Sequence, residues 1–200
     1  MIDLEHAIHV ASSWRGERAG DPESETVARI AAGERQALDA LYQCHAQPLF
    51  GYLMTLTSDR GLAEEILQDT FVAAWRGAAR FEGRSSVKTW LFGIARRQAH
   101  NVLHRRNLTL AGDATLDLTP SDEPEPETTA LINADRQAVV AAIERLSATH
   151  REVLLLAFMH ELPYAEMAEL LEVPAGTIKS RLSNAKRLLR QILETAETER

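Results

Sequence analysis

Between Arg84 and Arg106 the chain carries six cations, Arg84, Lys88, Arg96, Arg97, Arg105 and Arg106, and no Asp or Glu, in a protein whose formal net charge is -7. Aromatic residues are interleaved with them: Phe81 just before, Trp90 and Phe92 within. Arg and Lys attract phosphate at any base sequence, whereas an aromatic face stacks on a base only once that base has left the duplex. The two residue types together are the chemistry of opened DNA or RNA. The plainer alternative is a solvated cationic face over ordinary core aromatics, and this stretch by itself leaves both open.

Such residues need a helix to position them. Val87, Trp90, Leu91, Ile94, Ala95, Val102 and Leu103 recur at three- and four-residue steps, the spacing of one apolar helix face. That register puts Thr89, Arg96 and His100 on the opposite side, with Phe92 and Arg97 on its flanks, away from the core. Ser85 or Ser86 supplies the oxygen that caps the first turn.

A second cationic segment lies near the C-terminus. Thr177 to Arg190 holds Lys179, Arg181, Lys186, Arg187 and Arg190 without an acid. Tyr164 to Leu171 reads as a helix in which Ala168 leaves room for a crossing partner, Glu172 to Gly176 reads as a turn, and a helix starts at Pro174 or Thr177. Ile178, Leu182, Ala185 and Leu189 bind that last helix to the core. Lys179, Ser180, Ser183, Asn184, Arg187 and Arg190 are left outward, the polar set of a major-groove reader. This is a candidate helix-turn-helix.

Catalytic readings fail on spacing. His160-Glu161 begins like a zinc-protease motif, but the second histidine is missing and Pro163 breaks the helix that would align it. His100 and His104, four apart, have no carboxylate or cysteine in their segment, so phosphate or solvent is their expected contact. His6 and His9 lack a third ligand. No glycine-rich phosphate loop, nucleophile elbow or Cys/His constellation occurs, and the chain is read as a non-enzyme without cofactor or metal.

Composition sets the class. A chain of 200 residues with 45% hydrophobic content supports one or two small domains. β-branched alternation is nearly absent and Gly and Pro cluster between periodic segments, so the expected fold is all-α. No run reaches the length of a membrane span and the N-terminus has no signal pattern; the chain is expected in the cytoplasm. The single cysteine, Cys44, excludes an internal disulfide and is expected as a buried, inert thiol.

In order, residues 1–23 form an N-terminal extension, 24–108 a first helical domain, 109–129 a linker and 130–197 a second helical domain. Helices are expected from Ser24 to Ala32, stopped by Gly33, and from Glu34 to Thr57, kinked at Pro48, with Ala37, Leu38, Leu41, Tyr42, Leu49, Leu53 and Leu56 buried. Ser58 or Asp59 caps a third helix through Ala79, with Leu62, Ile66, Phe71 and Trp75 apolar and Glu64, Glu65, Gln68 and Asp69 forming an acidic face. Those carboxylates either favour the helix dipole or dock a basic partner. Asp113, Asp117, Asp122, Glu123, Glu125 and Glu127, with Pro120, Pro124 and Pro126, make the linker acidic and extended. It is either a passive tether or a strand that imitates nucleic-acid charge. Further helices are expected at Leu131–Leu146 and Thr149–His160.

Three stretches, in order around that linker, resemble bacterial sigma factors of the sigma-70 class, extracytoplasmic-function (ECF) group. They are Ala63 to Arg76 (AEEILQDTFVAAWR), Phe81 to Arg96 (FEGRSSVKTWLFGIAR) and Tyr164 to Leu182, which ends in PAGTIKSRL. The resemblance implies a two-domain promoter-recognition subunit of RNA polymerase, with core β and β′ subunits, promoter DNA and an anti-sigma protein as partners. It implies that Glu65, Gln68, Asp69, Phe71 and Trp75 dock on a β′ coiled coil. It assigns Phe81, Arg84, Ser85, Lys88, Trp90, Arg96, Arg97 and Asn101 to the −10 element and its opening. Thr177, Lys179, Ser180, Ser183, Asn184 and Arg187 would read the −35 element, and the linker would enter channels that later carry RNA. The chain departs from the family's usual pattern at Arg97, commonly Asn; at Glu172, commonly Gly, which predicts a looser turn; and at Asn184, commonly basic. The rival reading is a stand-alone helix-turn-helix regulator, which leaves the basic aromatic helix and the linker without work.

Overall fold

Gly33 stands at φ +88° and Ser58 at φ +51°, left-handed residues that end two successive helices. Those helices, in a computed structural model that describes residues 23–110 and 138–198, are α1 (Ser24–Ala31) and α2 (Arg35–Thr57). Arg29 and Glu34 pair across the turn between them. The described residues fall into two compact units, one within Met1–Thr119 and the other within Pro120–Arg200. No strand occurs among the described residues, in keeping with the all-α expectation.

In the first unit Asp59 caps α3 (Arg60–Gly77), its Oδ1 accepting from the Leu62 N–H at 3.0 Å. One 3-10 turn (Ala78–Arg80) and a loop lead into α4 (Val87–Leu110). α2, α3 and α4 pack on one another, and α1 lies against α2 and the 3-10 turn. Tyr52, Leu41, Leu49, Leu53, Ile66, Leu91 and Phe92 are the large fully enclosed side chains of this core; each removes an apolar payload from water worth roughly 1.5–3 kcal/mol. α2 continues through Pro48 as a single 23-residue helix.

The registers expected for α2 and α4 turn out to be misphased. On α2 the buried line is Ala37, Leu41, His45, Leu49 and Leu53, a four-residue ridge joined by Tyr52. Cys44, one residue off that ridge, is exposed rather than buried, and Tyr42 is 46% exposed. His45 can occupy the ridge because Glu23 reaches it, with Oε2 at 2.8 Å from Nε2. On α4 the buried line is Val87, Leu91, Ala95 and Ala99, with Phe92 and Thr89 beside it, so Phe92 and Thr89 belong to the core they were expected to avoid. Phe92 packs on Tyr52 with ring centroids 5.0 Å apart, while Trp90 and Ile94 are left half-buried at the edge. α4 also runs two residues past 108, the expected end of the first domain.

The second unit begins with α5 (138–144). Arg151 on α6 (Ala148–Leu154) donates from Nη2 to the carbonyls of Glu144 and Leu146, closing the end of α5. α6 passes into a π turn (Leu155–Met159), and α7 (Tyr164–Leu171) and α8 (Ala175–Thr198) follow. α6 and α7 both pack on α8, around Val153, Leu156, Met167, Ile178, Leu182 and Ala185. The turn from α7 to α8 closes fully. Glu172 takes φ +55°, its N–H meets Glu169 O at 3.3 Å, and the Val173 N–H reaches back to Ala168 O at 3.0 Å. The looser turn expected from a non-glycine residue is therefore corrected: the six-to-one hydrogen bond forms, and the glutamate carries the left-handed strain.

The acidic segment 109–129 lies outside the described residues apart from the end of α4, as do His6, His9 and the extension up to residue 22.

Candidate nucleic-acid interfaces

Ser86, not Ser85, starts α4: its Oγ accepts from the Thr89 N–H at 3.2 Å and donates to Thr89 Oγ1 at 3.0 Å. This explains why Thr89 is buried. The loop ahead of that cap turns at Gly83, φ +66°, and pairs Arg84 with Glu82. Behind it, Phe81 and Trp90 meet with ring centroids 5.0 Å apart and planes tilted by 47°, both half-buried. The indole lies over the last turn of α3, where a β-carbon at Gly77 would meet its Cζ2 at 3.7 Å. The result is an aromatic ledge, part covered and part open, beside a charged loop.

Along α4, Trp90, Arg97 and Asn101 are seven and four residues apart and share a side of the helix, with Arg97 and Asn101 exposed. Lys88 and Arg96, both half-buried, lie on other sides, so the eight residues assigned to this region are not one patch. Phe81, Arg84, Ser85, Trp90, Arg97 and Asn101 make up the loop and the helix side that continues it. At the far end Arg106 Nη1 lies 3.2 Å from Asp59 Oδ2. The Leu62 N–H first, and then the Arg106 guanidinium, hold the Asp59 carboxyl below its ordinary value. His100 and His104 are exposed, with rings 6.5 Å apart, and no group of three or more metal-ligating side chains forms among the described residues.

On α3, Glu65, Gln68 and Asp69 are exposed on one face, while Glu64 pairs with Arg60 at 3.0 Å. Phe71 departs from its expected role as a docking residue. It is 5% exposed and packs against Tyr42 at 4.8 Å. The apolar atoms available on this surface belong to Tyr42 and Val72, each 46% exposed, and to the half-buried Trp75. Their signal was faint: Val72 is an ordinary apolar residue one position away from a core residue.

In the second unit Lys179, Ser180, Ser183, Asn184 and Arg187 are exposed on α8 and Thr177 is half-buried, while Ile178, Leu182 and Ala185 hold the opposite side to the core. Tyr164, Lys179, Ser183, Lys186, Arg187 and Arg190 border an open groove floored by Leu182. Lys186 places its ammonium 4.9 Å above the Phe158 ring, and burial lowers its pKa from the ordinary lysine value. Tyr164 and Lys186 were not among the residues the sequence assigned to DNA; Tyr164 borders the groove from α7, and Lys186 is marked by its contact with Phe158 of the π turn.

Comparison with known proteins names these two units. The sigma-70 region 2 family matches residues 41–109 and the sigma-70 region 4 family matches residues 136–189. The ECF RNA polymerase sigma factor SigL of Mycobacterium tuberculosis is 32% identical over 171 residues, which span 84% of this chain and 95% of that one. RNA polymerase sigma factor YlaC of Bacillus subtilis is 30% identical over 174 residues, 83% of this chain and 98% of that one. Among solved structures, the sigma factor RpoE bound to the anti-sigma factor NepR, from Bartonella quintana, superposes with a TM-score of 0.65 at 26% identity, covering 78% of this chain and 96% of that one. With the cations Arg84 to Arg106 inside the first match and Lys179 to Arg187 inside the second, the chain belongs to the ECF group of sigma-70 RNA polymerase sigma factors and is a promoter-recognition subunit.

Proposed function

We propose that the first unit engages core RNA polymerase and the −10 element while the second reads the −35 element. The exposed Glu65, Gln68 and Asp69, with Trp75 and the neighbouring Tyr42 and Val72, form the face offered to β′. Arg84 and Ser85 in the loop, and Arg97 and Asn101 along α4, neutralise phosphates and hold unpaired bases; Lys88 and Arg96 add charge from the sides. Phe81 and Trp90 supply the stacking surface that a base needs once it leaves the duplex. Melting then exchanges base stacking for protein contacts and released counterions, with no nucleotide hydrolysis. Thr177, Lys179, Ser180, Ser183, Asn184 and Arg187 meet the duplex through α8. The acidic linker enters polymerase channels, and an anti-sigma protein, of the kind bound to the RpoE relative, holds the chain inactive in the cytoplasm.

The observation that carries this reading is the half-open Phe81–Trp90 pair next to a charged loop at the start of the cationic α4 in one unit, opposite in kind to the cationic, non-aromatic helix of the other. Its test is transcription from purified parts. Adding the chain to core polymerase on genomic templates should give initiation at discrete sites, with permanganate-reactive thymines near −10. Initiation no different from core polymerase alone would end the proposal.

A further inference from the structure

Glu23 is held on α2 by His45, Oε2 to Nε2 at 2.8 Å, and 22 residues of chain precede that anchor. His45 is three residues from Tyr42, about 4.5 Å along the helix axis. Tyr42 packs on Phe71, and Tyr42 and Val72, the next residue along α3, are each 46% exposed. Val72 follows Gln68 and Asp69 at steps of four and three, and Glu65 precedes Asp69 by four, so apolar and acidic groups share one side of α3. Neither Glu65 nor Asp69 has an ion-pair partner among the described residues. In the preceding 22 residues Leu4, Ile8, Ala11 and Trp14 recur at steps of four and three, the spacing of one apolar helix face. Arg15 and Arg18 stand between that run and the anchor. Asp3, Glu5, Glu17 and Asp21 accompany them, so the match to Glu65 and Asp69 is one of placed cations and not of net charge. Residues 15 to 22, extended, reach roughly 26–29 Å, more than two helix diameters of about 10–12 Å. The tether is long enough to bring the apolar run onto the outer side of α2 and α3.

We propose that in the free chain the apolar run of residues 4–14 covers Tyr42, Val72 and Trp75, with Arg15 and Arg18 meeting Glu65 and Asp69, so that the N-terminal extension and β′ compete for one face. That competition rests on the reading that this face docks on β′. Apolar surface left in water costs about 25 cal/mol per Å², and a segment tied down at Glu23 meets the face at an effective concentration in the millimolar range. Weak contacts therefore suffice to close it within one chain, whereas a second copy offers the same residues only at its bulk concentration. β′ binds the open fraction alone, and its apparent affinity falls by that fraction.

The test uses the full chain with a photo-crosslinking benzoylphenylalanine in place of Val72, alone and with core polymerase. In the free chain, position 72 should capture a peptide from residues 1–14 of the same molecule, and adding core polymerase should move the capture to β′. Mixing isotopically labelled and unlabelled chains tells capture within one chain from capture between two. Without the crosslinker, Leu4→Glu combined with Ile8→Glu should tighten binding to core polymerase about tenfold, the gain expected when one chain in ten is open. Arg15→Glu combined with Arg18→Glu should tighten it about threefold, as two exposed ion pairs allow. Core affinity unchanged in both double variants, with capture on β′ intact, overturns the closure and leaves the docking face standing. Capture of residues 1–14 that joins two chains and grows with chain concentration also overturns it and assigns the face to a dimer. Capture on no polymerase subunit, in a holoenzyme that still initiates at discrete sites, overturns the docking reading and the competition together.

Discussion

α4 and α8 are both 24-residue helices with a surplus of positive charge, yet their surroundings differ in kind. At the ends of the α4 segment cations are matched to acids, Arg84 to Glu82 and Arg106 to Asp59, and an aromatic pair flanks the first turn. On α8 no carboxylate lies within ion-pair reach of Lys179, Arg187 or Arg190 among the described residues, and the aromatic ring nearby sits under a lysine instead of facing out. Charge count alone would have made the two helices interchangeable. What lies beside the charge separates a surface suited to unpaired bases from one suited to an intact duplex.

The hardest blow to that contrast is to the packing that orients α4. Phe92 is fully buried against Tyr52, so Phe92→Ala should cost about 3–5 kcal/mol. Urea unfolding followed by probes in each unit should show the first unit's transition moving to lower denaturant and the second unit's holding still. Transitions that shift together would mean that the two helices cannot be treated as separate devices.

Trp90→Ala tests the aromatic half of the comparison directly. The ring is half-buried, so most of the fold survives, but one stacking surface is lost, worth about 1–3 kcal/mol. Permanganate-reactive bases per bound complex should fall roughly tenfold while duplex binding holds. Lys179→Ala should do the reverse, lowering occupancy and sparing the opened fraction. If the two substitutions give the same pattern, the surfaces are not specialised.

Glu172→Gly addresses the turn that presents α8. Glu172 sits at φ +55° with a closed cap, and removing the β-carbon relieves about 1 kcal/mol of left-handed strain. The second unit should melt at higher temperature, and Glu172→Ala, which keeps the β-carbon, should not share the gain.

How much of this was legible in the sequence follows from what periodicity measures. The boundaries of α1, α3 and α7, the Asp59 cap and the inward-facing Ile178, Leu182 and Ala185 came from caps and apolar spacing, which are local. The rotation of α2 and α4 did not. Trp90 weighs heavily on any hydrophobic wheel, but it is spent on Phe81 and Gly77 at the rim, and the tight line of Ala95 and Ala99 lets neighbouring helices approach and draws Phe92 inward. His45 reads as polar until Glu23, twenty-two residues away, is seen to satisfy it. The groove on α8 was half legible: its cations were plain, but Tyr164 and Phe158 come from other elements, and no spacing within one helix announces a contact across three.

The smallest effect separates cap from ion pair at the junction of α3 and α4. Asp59 accepts from the Leu62 N–H and pairs with Arg106, but its side chain is 46% exposed, so solvent screens the charge and the pair adds at most about 1 kcal/mol. Asp59→Asn keeps an acceptor for the cap and should cost less than about 1 kcal/mol at neutral pH, whereas Asp59→Ala loses the cap as well, about 1 kcal/mol more. The folded carboxyl titrates below its ordinary value of 3.8. Its contribution is therefore complete above that value and drains away as pH falls through the lower folded pKa. Acid unfolding of the first unit should lose this increment in the wild type and lack it in Asp59→Asn, so the two stability curves converge on acidification. Curves that stay parallel would show that Arg106 is not held by that carboxylate and is as available to phosphate as the cations of α8.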